Sequence, residues 1–257
     1  QALAFIWERM WFPDRGLARS WSGDGPGVFG VFADHAAFAR ALLDAYEVAG
    51  RREHLDRAVQ VVTFMRARFE DVERGGFWDV VPEGEHLGRH DLGQKQVGDN
   101  AVAADVLLRV GRFLRHEAMQ RAGERTLGYF AGHQQALGIF AAGYALTADR
   151  FLHPGPVVAI VGTGDGAAGL RAAALRLSEP DRSVQTLDPV RDADILARAS
   201  LPPSFASAAY VCFGRVCSAP VAAPEAIERA VETLREAAGR RPETLFATAE
   251  APEETAD

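Results

Sequence analysis

Residues 33–70 read ADHAAFARALLDAYEVAGRREHLDRAVQVVTFMRARFE. Apolar side chains recur three and four apart through this stretch. Phe38, Leu42, Ala45 and Tyr46 share one face of a helix over 33–49. Leu55, Val59, Val62, Met65 and Phe69 share one face of a second helix over 53–70. Asp34 stands where an N-cap acceptor belongs, and Gly50 where a helix ends in the left-handed conformation. Gly50, Arg51 and Arg52 make a link so short that the two helices must be antiparallel neighbours. The stretch reads as a helix hairpin.

The pattern then repeats. Gly75-Gly76-Phe77-Trp78-Asp79-Val80-Val81 reads as a turn and short strand, and 82–98 as a loop rich in Gly and His. Gly98 or Asp99 caps a helix carrying Val102, Val106, Leu107, Val110 and Phe113. A second helix over about 117–131 carries Met119, Ala122, Thr126, Leu127 and Phe130. A third, over about 134–152, lines up Gly138, Ala141, Ala142 and Ala145, small residues that let a neighbouring helix approach. Leu42-Leu43 followed by Leu55-Asp56-Arg57-Ala58 matches Leu107-Leu108 followed by Met119-Gln120-Arg121-Ala122. Self-similar hairpins indicate a stacked array, either an open solenoid or a closed toroid.

The character changes after Phe151, where His153-Pro154-Gly155-Pro156 breaks the helix. Residues 157–161 are a short, β-branched apolar run that suits a buried strand. A loop over 162–166, a helix over 170–177 and a strand over 183–187 complete one βαβ-like unit. Residues 208–212 read as another strand, and 225–238 as an amphipathic helix starting near Pro224. The expected organisation is a mainly α chain. It has a partial helical toroid over 1–153, a small α/β module with a C-terminal helix over 154–246, and an acidic disordered tail over 247–257.

The chain has 257 residues, 48% of them hydrophobic and 25% charged, enough for a packed core. The formal net charge of -7 argues against general nucleic-acid binding. No apolar run is long enough to span a bilayer, so no membrane partner is expected. Gln1 opens directly into an apolar segment without Met, which reads as a fragment. Two cysteines exclude a disulfide scaffold and a four-Cys zinc site, and they fit a reducing, cytoplasmic compartment. No cofactor and no metal is expected.

Three motifs carry potential chemistry. Gly164-Asp165-Gly166-Ala167-Ala168-Gly169 fits G-x-G-x-x-G between a strand and a helix, and Asp188 ends the next strand where an acidic residue would hold a ribose. Only one βαβ unit is visible, and Asp165 puts negative charge where a pyrophosphate would sit, so a structural turn is the favoured reading. A nucleotide site would require at least three parallel strands. Cys212 and Cys217 flank a turn without C-x-x-C spacing; a disulfide or half a metal site is open to them, and a reduced, partly buried structural pair is the favoured reading. The loop bearing Glu85, His86, Arg89 and His90, followed by Lys95, Asp99 and Asn100, groups carboxylates, imidazoles and cations. Such groups can supply acid, base and sugar-hydroxyl contacts. The bland alternative is a solvated loop with Asp99 as a helix cap. His35, beside Asp34, stands at another helix start. Trp78 could stack on a sugar ring, although core packing is the default for Trp.

These residues resemble a known family, the bacterial YyaL-type proteins and their animal relatives, the spermatogenesis-associated protein 20 group. Phe32-Ala33-Asp34-His35-Ala36-Ala37-Phe38 is similar to that family's Leu-Glu-Asp-Tyr-Ala-Phe segment. Gly75-Gly76-Phe77-Trp78-Asp79 resembles its Gly-Gly-Phe-Phe-Asp, and 95–104 resembles its Lys-Pro-x-x-Glu-Asn-Ala-Val-Ala-Ala. The run from Ala209-Tyr210-Val211-Cys212 through Cys217 to Pro224-Glu225 resembles its ending. His35 departs from an aromatic and Gln96 from a proline. The resemblance implies an N-terminal thioredoxin-like domain followed by an (α/α)6 toroid of the six-hairpin glycosidase type, related in fold to N-acylglucosamine 2-epimerase. This chain would hold the C-terminal portion, with the thioredoxin-like domain and the rest of the toroid as missing partners.

The functional expectation is a carbohydrate-related enzyme, epimerase-like or glycosidase-like, or a toroid that binds a sugar-like molecule. Its catalytic candidates are Asp34, His35, Glu85, His86, His90 and Asp99. Its ligand-binding candidates are Trp78, Arg89, Lys95 and Asn100. The alternatives are a non-catalytic interaction scaffold and a nucleotide site at Gly164–Gly169. A shared fold by itself is weak warrant for shared chemistry.

Overall fold

Helix α1 (Ala2–Arg9) leads into two short antiparallel hairpins, β1 (Trp11–Phe12) with β2 (Gly16–Leu17) and β3 (Trp21–Ser22) with β4 (Gly25–Pro26). The computed structural model describes residues 1–80, 93–132, 138–203, 206–214 and 216–239. The glutamate and histidines of the 81–92 loop, its Arg89, and the acidic tail lie outside these residues.

The helix hairpin of 33–70 forms as α2 (Phe32–Ala49) and α3 (Arg52–Phe69). Gly50 closes α2 at φ 66, a conformation that costs other residues about 1 kcal/mol or more. A second hairpin follows, α4 (Val97–Leu114) with α5 (Glu117–Phe130), and α2 packs against α4. One core cluster joins Phe32, Leu42 and Tyr46 of α2, Leu55, Met65 and Phe69 of α3, and Leu107 and Phe113 of α4. A second joins Ala101 and Ala104 of α4 to Leu127 and Phe130 of α5 and Tyr144 beyond them. Helix α4 therefore buries two faces and sits centrally. Each fully buried Leu or Phe contributes about 1.5–3 kcal/mol.

The helix starts differ from the expected caps. Val31 is the N-cap of α2 and Gln96 that of α4, and neither makes a side-chain cap bond. Asp34 and Asp99 lie one turn in, where their charge still meets the positive helix end. The expected strand near Gly75 is reduced to two isolated bridges, Glu70 with Phe77 and Val31 with Val80. The expected third helix divides into a 3-10 turn (Gly138–Ala141) and α6 (Ala142–Leu152). Its small-residue stripe faces outward: Gly138, Ala142 and Ala145 are exposed, whereas Ala141, Tyr144 and Thr147 are buried.

The α/β module follows its expected order. Strand β5 (Val157–Val161) pairs in parallel with β6 (Ser183–Leu187) across helix α7 (Gly164–Leu175). Helix α8 (Ala193–Ala199) leads to β7 (Ala208–Phe213), which is antiparallel to β5, and β8 (Val216–Cys217) adds the edge. The sheet order is β6-β5-β7-β8. Alternation with period two sends Val158, Ile160 and Val211 against α7 and α9 (Ala226–Gly239). It sends Val161, Leu187 and Tyr210 against α8 on the other face.

The reduced cysteine pair expected from spacing is not what forms. Cys212 and Cys217 are disulfide-bonded, because the β7–β8 register sets them opposite each other with Cα atoms 4.0 Å apart.

Polar contacts join the helices to the sheet. Tyr46 Oη donates to the Thr186 carbonyl at 3.0 Å, Glu47 Oε2 accepts the Val184 N–H at 3.0 Å, and Gln185 Nε2 donates to the Phe113 carbonyl at 2.8 Å. Arg52 pairs with the buried Asp192. Arg109 bridges Glu47 at 2.7 Å, Asp44 at 2.8 Å and Asp105 at 3.5 Å. No helix among the described residues is long and apolar enough to cross a membrane.

Candidate functional site

The N-terminal ends of α2 and α4 bring most of the described candidates to one end of the helical layer. The turn at 75–79 ties these ends together: Phe32 N–H donates to the Asp79 carbonyl at 2.9 Å, and Asp79 Oδ1 accepts the Gln94 N–H at 2.8 Å.

His35 belongs to the framework. It is fully buried, its Nδ1 lies 2.8 Å from the Val31 carbonyl, and its Nε2 accepts the Leu17 N–H at 2.9 Å. That pair of bonds requires the neutral Nδ1–H tautomer. Its ring stacks on Phe64 at 5.2 Å, and burial pushes its pKa down despite the Val31 bond and the Asp34 charge. Gly16 makes the approach possible, since a Cβ there would overlap both His35 and Phe64. With both nitrogens committed, His35 has no proton site for a ligand, which corrects its catalytic assignment.

Lys95 and Asn100 are corrected for the same reason. Lys95 Nζ donates to Asp71 at 2.8 Å and to the Gly75 carbonyl at 2.6 Å, and it lies 3.9 Å from the Tyr129 ring centre and 4.6 Å from that of Trp78. Only 2% of its side chain is exposed. Asn100 is fully buried. Its Oδ1 accepts the Phe77 N–H at 2.7 Å, and its Nδ2 donates to the carbonyls of Phe77 at 3.0 Å and Gln96 at 2.9 Å. The pair pins the Gly75–Phe77 turn onto α4. Trp78 is half-buried, with its ring receiving the ammonium.

Three carboxylates remain. Asp34 is partly exposed and pairs with Arg19 at 3.4 Å. Asp99 is half-buried, and its pKa is raised first by desolvation and then by the charges of Asp34 and Asp79. Burial and like charge thus raise the pKa of Asp99, while the neighbouring Asp34 is paired with Arg19. Glu85, His86, Arg89 and His90 lie outside the described residues. Among those described, no group of three or more His, Cys, Asp or Glu is placed to hold a metal.

The glycine motif does not form a nucleotide cradle. Among the described residues only β5 and β6 are parallel, short of the three strands such a site requires. Gly164, Gly166 and Gly169 all fall within α7, and Gly166 packs near Ser207. Asp188 Oδ1 accepts the Val190 and Arg191 N–H groups at 2.8 and 3.0 Å, bonds that depress its pKa and occupy the oxygen a ribose would need.

Clefts among the described residues also lie between the helices and the sheet. One of about 330 Å³ surrounds Glu47, Asp105, Arg109 and Arg150. Glu47 there has its pKa raised by burial, against the opposing pull of Arg109. The sequence signal for this site was the i,i+4 pair Asp105 and Arg109, which reads equally as a solvated helix face.

Neither the profiles of known protein families nor the curated proteins compared with it give a match to this chain. The resemblance to the YyaL group therefore rests on the segments quoted above.

Proposed function

We propose that the helical layer is part of a six-hairpin-type toroid, and that the end where α2 and α4 begin takes a sugar-class ligand. Asp99 is the proton or hydrogen-bond donor, Asp34 the second carboxyl, and Trp78 the apolar surface. The observation that carries this reading is the half-buried Asp99, whose pKa is raised by burial and by its two acidic neighbours. A pair of carboxyl groups suits glycoside hydrolysis. Epimerisation through His35 is disfavoured, because that ring is fully engaged.

A thermal-shift series on the full chain with mono- and disaccharides tests this. A sugar-dependent rise in Tm that disappears in Asp99→Asn supports the site. No shift with any sugar overturns it. The second reading, an interaction scaffold, draws on Ile139 and Phe140, which stand 84% and 80% exposed on the 3-10 turn. It predicts self-association or partner binding that Phe140→Ser abolishes, with no response to sugars.

A further inference from the structure

Helices α2 and α4 have the same length and the same position in their hairpins, yet they end differently. Both are 18 residues long, and both close with a left-handed residue. For α2 that residue is Gly50, the type this conformation favours. For α4 it is Arg115, at φ 52. Arginine is strained there, so its presence calls for a use of the side chain.

Arg115 lines a cleft of about 900 Å³ between α4 and α5 on one side and the end of α8 and the β7–β8 hairpin on the other. Arg112, one turn earlier on α4, lines the same cleft. Its Nη1 donates to Ser183 Oγ at 3.2 Å. Among the described residues neither guanidinium forms an ion pair; burial lowers the pKa of both, and at Arg112 the charges of Asp105 and Glu47 oppose that shift. Arg198, on the far wall, is paired with Asp194 at 2.6 Å. The α5 wall offers Gln120, Glu124 and Glu117, the last paired with Arg121. A partly buried guanidinium without a counter-charge, as at Arg115, is costly, and an anion beside it removes that cost.

We infer that this cleft binds the phosphate group of a small phosphorylated polyol, held between Arg112 and Arg115, with Gln120 and Glu124 facing its hydroxyls. Two guanidinium groups match a phosphate of charge about -1.5 to -2 better than one would. Arginine's planar fork suits phosphate oxygens. The cleft lies at the C-terminal end of α4, roughly 24 Å along the helix from Asp99, so it is separate from the carboxylate end.

Calorimetric titration of the full chain at about 0.15 M ionic strength, where surface charge is screened, tests the proposal. The probes are inorganic phosphate, glycerol 3-phosphate and glycerol. Saturable binding of both phosphates, tighter for glycerol 3-phosphate and absent for glycerol, is expected. Arg115→Gly should weaken both phosphates at least tenfold while leaving the unfolding midpoint unchanged or higher, because Gly suits that cap. Arg121→Gln, which removes an exposed arginine paired with Glu117, should leave affinity unchanged. Absence of saturable phosphate binding overturns the proposal. So does equal affinity in Arg115→Gly, or an equal loss in Arg121→Gln.

Discussion

Replacing Asn100 by alanine should destabilise the protein by about 3–5 kcal/mol, from two buried backbone groups at about 1–3 kcal/mol each plus the space left behind. The variant orphans the Phe77 N–H and C=O, bonded to the amide at 2.7 and 3.0 Å, in a residue with no exposure. The third partner, the carbonyl of the exposed Gln96, can turn to water and adds little. Such a loss is a large share of the roughly 5–15 kcal/mol that holds a domain folded. Urea unfolding followed by Trp fluorescence and by circular dichroism gives the difference from the midpoint and slope. Asn100→Asp should be at least as damaging, since it keeps one acceptor but sets a buried carboxylate against two carbonyl oxygens. A loss below about 1 kcal/mol, combined with an abolished sugar response, would refute the framework role and return Asn100 to the ligand.

Three further outcomes follow from the same contacts. His35 is held neutral with a depressed pKa, so its contribution is complete above about pH 6.5 and is lost as pH falls below that value. The Tm of the wild type should fall on acidification there, and His35→Gln should flatten the profile while lowering Tm at pH 8. Cys217→Ser should cost about 2 kcal/mol, the loop entropy of a bridge spanning five positions. Dithiothreitol should lower the urea midpoint of the wild type to that of the variant and leave the variant unmoved. Arg109→Met should cost about 3–5 kcal/mol at pH 7, because it leaves Glu47 and Asp105 without their shared cation. The penalty should shrink toward pH 5, since the raised pKa of Glu47 lets it neutralise early.

The elements most legible in the sequence are those that periodicity decides. Helices α2 and α3, and strands β5 and β6, lie within a residue or two of their expected positions, because burial of one face or of a whole strand leaves few alternatives. The helix starts were misplaced because Asp34 and Asp99 are typical capping residues, whereas the backbone enters each helix earlier, at Val31 and Gln96. The candidate site was half legible. A polar side chain beside a glycine turn looks the same in sequence whether its bonds go to a ligand or to the backbone. Lys95, Asn100 and His35 spend theirs on the backbone and framework. The disulfide depends on the β7–β8 register, which spacing alone does not reveal. The arginine cleft draws its walls from α4, α5, α8 and the β7–β8 hairpin, segments too far apart in sequence for any local pattern to unite them.

The central claim is that Asp99 has its pKa raised by desolvation and by the charges of Asp34 and Asp79, at the proposed ligand-binding end of the helices. The most direct measurement is the carboxyl-carbon NMR titration of Asp99 in the wild type and in Asp34→Asn. The account predicts titration above the ordinary aspartate value of about 3.9, a lower value once the Asp34 charge is removed, and displacement of the curve by a sugar that raises Tm. Titration at or below the ordinary value, indifferent to Asp34 and to every sugar, would contradict it.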